Sequence, residues 1–487
     1  MTMNRHFQRR MDRAQRAACG LLALLLVFLG TGALADAQLL PGVTAAMTDA
    51  DYWADKAAQP DEALADAGAI EALNAGFLAC ADCYMIDLGK LYAPYDGAAL
   101  RRQLLKEAMK SLSDYLDPGY FNTAGDAVPY GDMAAIFEDI DASDAAPRQR
   151  VRYGICVTLA DVRSVPTDMI ITDSAGDNDF DVLQMSNIRV GEPVIIRAET
   201  ADGAWFFCDS VCVSGWVPAD RIAVCKGRRE WLSAWRFPGE EAIVVTEGKL
   251  YLDQSNVNAA ASQRMLTMGT TLRRVDDDAF DATVTNRAAF QNYPVVLPVR
   301  EADGSYGTTI ALIPQHSAVS EGIPALTTRN VLRVAFSMLG DAYGWGGMLG
   351  VPDCSLYVRN IYKCFGLELP RNTTWQSAMP AFRCDLSEME PGQKAAALDA
   401  LPSCAILFFK GHEMLYLGEA DGRHYVLSTV SSMMTPDGAD RLRVRSVVVN
   451  ALEDTKRANG KTWLEDLNLA IVPWLPEAVE EALPEAG

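Results

Sequence analysis

The chain has 487 residues, 49% of them hydrophobic and 22% charged; that is enough for roughly two to four domains with separate cores and excludes wholesale disorder. Its formal net charge of -21 argues against nucleic acid or anionic lipid surfaces as partners and tolerates a substrate carrying amino groups.

Residues 1–35 have the layout of a secretory signal peptide. Arg5, Arg9, Arg10, Arg13 and Arg16 face one acid, Asp12. The apolar run LLALLLVFLG follows, and ALA at 33–35 supplies small residues for cleavage. That run is shorter than the roughly 20 residues a membrane span needs, and Cys19 precedes it, which argues against a lipoprotein site. The mature chain is therefore expected to be exported, to periplasm, envelope or medium, without stable membrane insertion. Export permits disulfides. CADC at 80–83 reads as a structural disulfide or two buried thiols, because there is no second CxxC and the chain has only four histidines.

Residues 40–150 read as a helical N-terminal domain, with apolar residues at three- and four-residue spacing. From 151 to 235 the pattern changes to short alternating strands with Gly and Asp turns, the signature of a small barrel. Within it, ADGAWFF and SGWVPADRIA resemble a bacterial SH3-like (SH3b) domain, with Cys208 and Cys212 placed where they can bridge. Residues 236–320 read as a second SH3-like barrel, and 314–327 as a linker bearing His316. Residues 321–487 place helices first and an antiparallel sheet after them, an α+β arrangement.

In that last domain VPDCSLYVRNIYKCFG predicts a helix opening at Asp353 and Cys354. Asp353 can cap the free amides, Leu356, Val358, Ile361 and Phe365 form an apolar stripe, and Gly366 ends the helix. A cysteine in the first turn faces the positive end of the helix dipole, which favours thiolate. Cys364 belongs to the packed face.

A nucleophilic cysteine needs a base. His6 lies in the leader and His316 in the linker, which leaves His412 and His424 in GHEMLYLGEADGRHYVL, a hairpin turning near Asp421 and Gly422. A three- to four-residue loop pairs positions summing to 840 or 841, so His412 faces Ser428 or Thr429. His424 then lies on the order of 13 Å away from that point. His412 is the expected base.

The segments GDAYGWGG (340–347), DCS (353–355), LPRNTTWQ (369–376) and GHEMLYLG (411–418) resemble, in order and spacing, the NlpC/P60 cysteine peptidases. MTDADYW and VSEGIPALTTRNVLRVAF extend the likeness to the SH3b-containing branch. The resemblance implies a papain-like α+β fold for the last domain and hydrolysis of peptidoglycan stem peptides or muropeptides at the γ-D-glutamyl–diamino acid bond; the sequence shows no phosphate loop, metal cluster or redox motif, so no cofactor is expected. It implies Cys354 as nucleophile, His412 as base and Tyr343 lining the site. It also implies that Asp353 meets a substrate ammonium with Ser355 beside it, a role compatible with capping. The third catalytic position, usually His, Asn or Gln, is Ser428 here, and Leu356 stands where a small residue is common. A serine orients imidazole more weakly, so two alternatives remain open: a weakened wall-peptide-binding protein, and a Cys–His amidase or acyltransferase.

Overall fold

The computed structural model describes residues 38–113, 115, 119–141, 145–276 and 279–476. The expected leader, with His6 and Cys19, lies outside the described residues. Aspartates open the first two helices: Asp49 caps Ala50–Ala54 and Asp66 caps Ala67–Ala79 by accepting main-chain N–H bonds. Gly97–Ser113 buries Leu100, Leu104, Ala108 and Leu112 along one stripe, and Tyr130–Asp141 packs beside it. These helices are divided between two neighbours. Trp53, Leu73 and Phe77 join the core of the C-terminal domain, whereas Leu104, Leu112, Met133 and Ile140 pack against Trp205 and Trp216. Strand Ala63–Ala65 pairs with Leu326–Thr327, and Arg329 binds Asp51, Asp55 and Asp61 at 3.1, 3.0 and 2.8 Å. The amphipathic spacing showed helices; it carried no information about their separate partners.

Residues 152–225 form a seven-stranded antiparallel sheet. Its order is Gln184–Ile188, Ala160–Arg163, Ser214–Pro218, Trp205–Asp209, Pro193–Glu199, Arg152–Cys156, Ile222–Cys225. Alternate residues such as Val162, Ile196, Phe206 and Val217 make its core. Between 242 and 321 three small antiparallel sheets share another core, which includes Ile243, Leu266, Leu272, Val295 and Ile313. Much of the expected linker is structured: Val319–Glu321 pairs with Ala242–Val245, and Leu326–Thr327 with the N-terminal strand. Its Ser, Gly and Pro content hid two short pairings.

In the C-terminal domain, helices Thr328–Phe336 and Cys354–Lys363 precede a six-stranded antiparallel sheet. The order is Ala381–Asp385, Leu469–Pro476, Ile406–Phe409, His412–Ala420, Arg423–Met434, Arg441–Ala451. The helix Cys354–Lys363 buries the expected stripe and also Ser355, Tyr357, Arg359 and Asn360. It is covered all round, because Arg189 of the 152–225 sheet donates to Asn360 while Arg359 pairs with Glu368 at 3.0 Å.

All ten cysteines among the described residues are free thiols, so neither Cys80 with Cys83 nor Cys208 with Cys212 is bridged. Among the described residues no helix is long and apolar enough to cross a membrane.

Candidate active site

Cys354 is the first residue of its helix, and Asp353 is the cap, accepting from Leu356 N–H at 2.9 Å. The Asp353 carboxylate is also gripped by Arg371, Nη1 to Oδ1 at 3.2 Å and Nη2 to Oδ2 at 2.8 Å. Ser355 Oγ donates to Oδ1 at 3.2 Å, and Gly346 N–H to Oδ2 at 3.1 Å. Burial alone would raise its pKa, but Arg371 and the other donors more than offset this and lower it. Five donors fill a carboxylate with about four lone-pair sites. Ser355 Oγ in turn accepts from Arg371 at 3.1 Å. Within the protein, Asp353 and Ser355 cap the helix and anchor its start to Arg371.

The glycine-rich loop before the cysteine is held by the 152–225 sheet. Gln184 Nε2 donates to Gly346 O at 3.3 Å, and Asn187 Nδ2 to Gly347 O at 3.0 Å. Phe180 stacks on Trp345 with centroids 4.5 Å apart, and Ser186 Oγ accepts from Arg371 Nε at 2.7 Å. Gly346 and Gly347 have φ of +62° and +85°, and an added Cβ would sit 2.6 Å from Gln184 O and 2.4 Å from Asn187 Nδ2. Only glycine fits both the backbone and the contact. Tyr343, 8% exposed, donates its main-chain N–H to Arg445 O at 2.9 Å. Burial raises the pKa of its hydroxyl, with the charges of Asp353 and Cys354 contributing.

The thiol is half-buried. Cys354 Sγ lies 3.9 Å from Thr373 Oγ1, and the main-chain N–H of Glu413 is directed at the sulfur. Burial, then the charges of Asp353 and Glu413, push the thiol up to about 12. Burial and these charges thus oppose the expected dipole-assisted thiolate. A helix terminus is worth about 1 kcal/mol, whereas full burial shifts a pKa by about 3–5 units. Glu413 is fully buried and neither carboxyl oxygen makes a hydrogen bond; burial pushes it up to about 8.

Alternation along His412–Ala420 sends the His412 ring the opposite way from the Glu413 carboxyl. The ring packs 5.3 Å from Phe409 and 5.2 Å from Trp463, centroid to centroid. Burial, then Arg457, lowers its pKa to about 3, and Nε2 is buried without a partner. The hairpin turns at Asp421 and Gly422, but with two residues, both at positive φ (+53° and +76°), and Ala420 opposes Arg423. A bulge between Tyr416 and Gly418 then sets Leu415 opposite Leu427. Continuing that register puts Met414 opposite Ser428 and Glu413 opposite Thr429, so the expected pairing of His412 with Ser428 or Thr429 is corrected. The shorter turn and the bulge are the cause. Ser428 still shares the sheet face of Met414 and His412, and its Oγ is buried without a partner. His424 has no part in orienting His412: Nδ1 lies 2.7 Å from Glu453 and Nε2 3.1 Å from Asp399.

Residues 340–436 match the NlpC/P60 family, and residues 172–218 match the SH3 domain of SH3b1 type. The chain carries an NlpC/P60 domain. Among solved structures, an NlpC/P60 endopeptidase from Photobacterium damselae subsp. piscicida is 16% identical, covers 86% of this chain and 95% of its own, and gives a TM-score of 0.67. That likeness shows a shared fold. An NlpC/P60 family protein from Bacillus cereus is 18% identical over 60% of this chain and 83% of its own, with a TM-score of 0.39. No curated protein matches the chain.

Within the NlpC/P60 domain, Cys354, Tyr343, Asp353 and Ser355 come together, and the Glu413 main chain leaves His412 one residue from the sulfur. Among the described residues no hydrogen bond joins Cys354, His412 and Ser428. Three site residues escaped the sequence reading: Arg371, Thr373 and Glu413. The first two stand in the quoted LPRNTTWQ, where an arginine just after a proline and a threonine at a helix start were the available signals. Glu413 gave only one, a charged residue inside an apolar strand.

Proposed function

We infer that an NlpC/P60 domain beside an SH3b-type domain makes the chain a peptidoglycan-related hydrolase. We propose that the protein is an exported endopeptidase of peptidoglycan stem peptides, cutting the γ-D-glutamyl–diamino acid bond through Cys354 and His412. The observation that carries this is Cys354 at the opening of a buried helix with the Glu413 N–H directed at its sulfur, one residue from His412. Catalytic hydrogen bonds are often poorly aligned before substrate binds. In the proposed cycle the His412 ring leaves its resting place on the strand face opposite Glu413, swings toward the sulfur and takes its proton. The thiolate attacks the peptide carbonyl, and the Cys354 main-chain N–H supports the oxyanion. His412 returns the proton to the departing amine, then activates the water that releases the acyl group. Ser428 holds the far imidazole nitrogen, the weakest link of the triad. The SH3b-type sheet, fixed to the Gly346–Gly347 loop, narrows the groove and favours small wall fragments over intact, glycan-linked wall.

A second reading is favoured by the missing Cys354–His412 hydrogen bond: a wall-peptide-binding protein with weakened catalysis. Muropeptides incubated with the full chain and with Cys354→Ala, then weighed by mass spectrometry, separate the readings. Cleavage at the γ-D-glutamyl bond by wild type alone supports the endopeptidase. Cleavage at another amide or ester would make it an amidase or acyltransferase, and retained binding without any cleavage would leave the binding protein.

A further inference from the structure

Glu413 is the one carboxyl group at the thiol that the site does not otherwise use. Its side chain is fully buried, and neither oxygen makes a hydrogen bond. An unpartnered buried carboxyl is costly, more so beside a nucleophile that must become an anion. Four groups face it. Cys354 is in contact with its main chain, and the Thr373 hydroxyl, 3.9 Å from the sulfur, also faces the Glu413 carboxyl. Asp353 adds negative charge and Arg371 positive, but Arg371 is already spent on Asp353 through two hydrogen bonds. Ionised Glu413 therefore finds no counter-charge of its own, while the sulfur feels it directly.

We propose that Glu413 is a positioning residue for the nucleophile: its carboxyl group, enclosed beside Cys354 and facing the same Thr373 hydroxyl, opposes thiolate formation whenever it is ionised. Held neutral, it leaves Cys354 to be deprotonated; once charged, it confines the sulfur to the thiol form. Burial, which pushes Glu413 up to about 8, puts this change just above neutral pH. The chain thus carries its own alkaline limit on Cys354 reactivity, independent of which bond it cuts.

The test needs no substrate, so it stands apart from the proposed hydrolysis. The full chain is treated with iodoacetamide from pH 6 to pH 10, and modification of the Cys354 peptide is timed by mass spectrometry. Wild type is expected to react less than tenfold faster per pH unit above about pH 8, where Glu413 ionises. E413Q is expected to move the profile to lower pH by about one unit, up to tenfold faster labelling at pH 9. E413L, with an apolar side chain suited to the buried site, is expected to move it the same way and carries the test if E413Q fails to fold. A general loosening of the fold would raise labelling of the buried Cys364 and Cys404 as well, so the proposal requires their rates to stay unchanged. Profiles that coincide with wild type, or move to higher pH, overturn it. The second outcome would mean that Glu413 helps by taking the thiol proton.

Discussion

Arg371 grips Asp353, the residue immediately before Cys354, with two hydrogen bonds of 3.2 and 2.8 Å wholly inside the protein. The pair joins three parts: Asp353 caps the Cys354 helix, Arg371 belongs to the segment leading to Thr373, and Arg371 Nε reaches Ser186 of the SH3b-type sheet at 2.7 Å. Removing one partner would leave an uncompensated buried charge. Arg371→Ala is expected to destabilise the protein by about 3–5 kcal/mol, and Arg371→Lys by less, since it keeps the charge but loses the fork. Chemical denaturation of the two variants checks the order.

That junction shows which parts of the site were legible in sequence. The helix start was, because an Asp cap, a following cysteine and an apolar stripe are local signals. The turn at Asp421 and Gly422 was legible for the same reason. The register was not. A two-residue turn and the bulge at Tyr416–Gly418 shift every cross-strand partner, and with it the knowledge that Glu413 faces the thiol. Gln184, Ser186 and Asn187 touch loops about 160 to 185 positions away in the chain. No local pattern marks such contacts, so the clamp on the glycine loop could only be seen in three dimensions.

Glu413 also makes stability depend on pH. An unfolded Glu titrates near 4.5, whereas burial pushes this one up to about 8. Between these values the folded chain holds a proton that the unfolded chain has released, so stability is full below about pH 4.5 and falls as pH rises through 8. The loss is on the order of 3–5 kcal/mol. E413Q cannot ionise. Its melting temperature is expected to gain on wild type from pH 5 to pH 9, and equal pH dependence in both chains would refute the linkage.

His412 has the opposite sign. Burial lowers it from 6.5 to about 3, so between these values the unfolded chain binds a proton that the folded chain excludes. Its contribution is full above about pH 6.5 and is lost as pH falls toward 3. His412→Gln should flatten the acid side of the stability curve between pH 7 and pH 4. If His412 is the base, the same change lowers kcat/KM on muropeptide by about 10²–10⁴. An unchanged kcat/KM would remove His412 from the mechanism while leaving the stability result intact.

The clamp on the glycine loop gives a prediction about selectivity. Gly347 has φ +85°, and a Cβ there would lie 2.4 Å from Asn187 Nδ2 and 2.8 Å from Leu356 Cδ2. Alanine must strain the backbone and push the SH3b-type sheet off the loop, at a cost of about 1–3 kcal/mol. Asn187→Ala removes only the 3.0 Å hydrogen bond to Gly347 O and keeps the glycine, so it should cost about 1 kcal/mol. Both changes loosen the wall that the sheet builds against the glycine loop without touching Cys354. If that wall selects small fragments, Gly347→Ala should cut peptides with a blocked amino end, and glycan-linked wall, faster relative to free muropeptide than wild type does. Asn187→Ala should shift the same ratio by less. Equal ratios in all three chains, with the variants folded, would mean that the sheet braces the loop and leaves substrate choice to the NlpC/P60 domain alone.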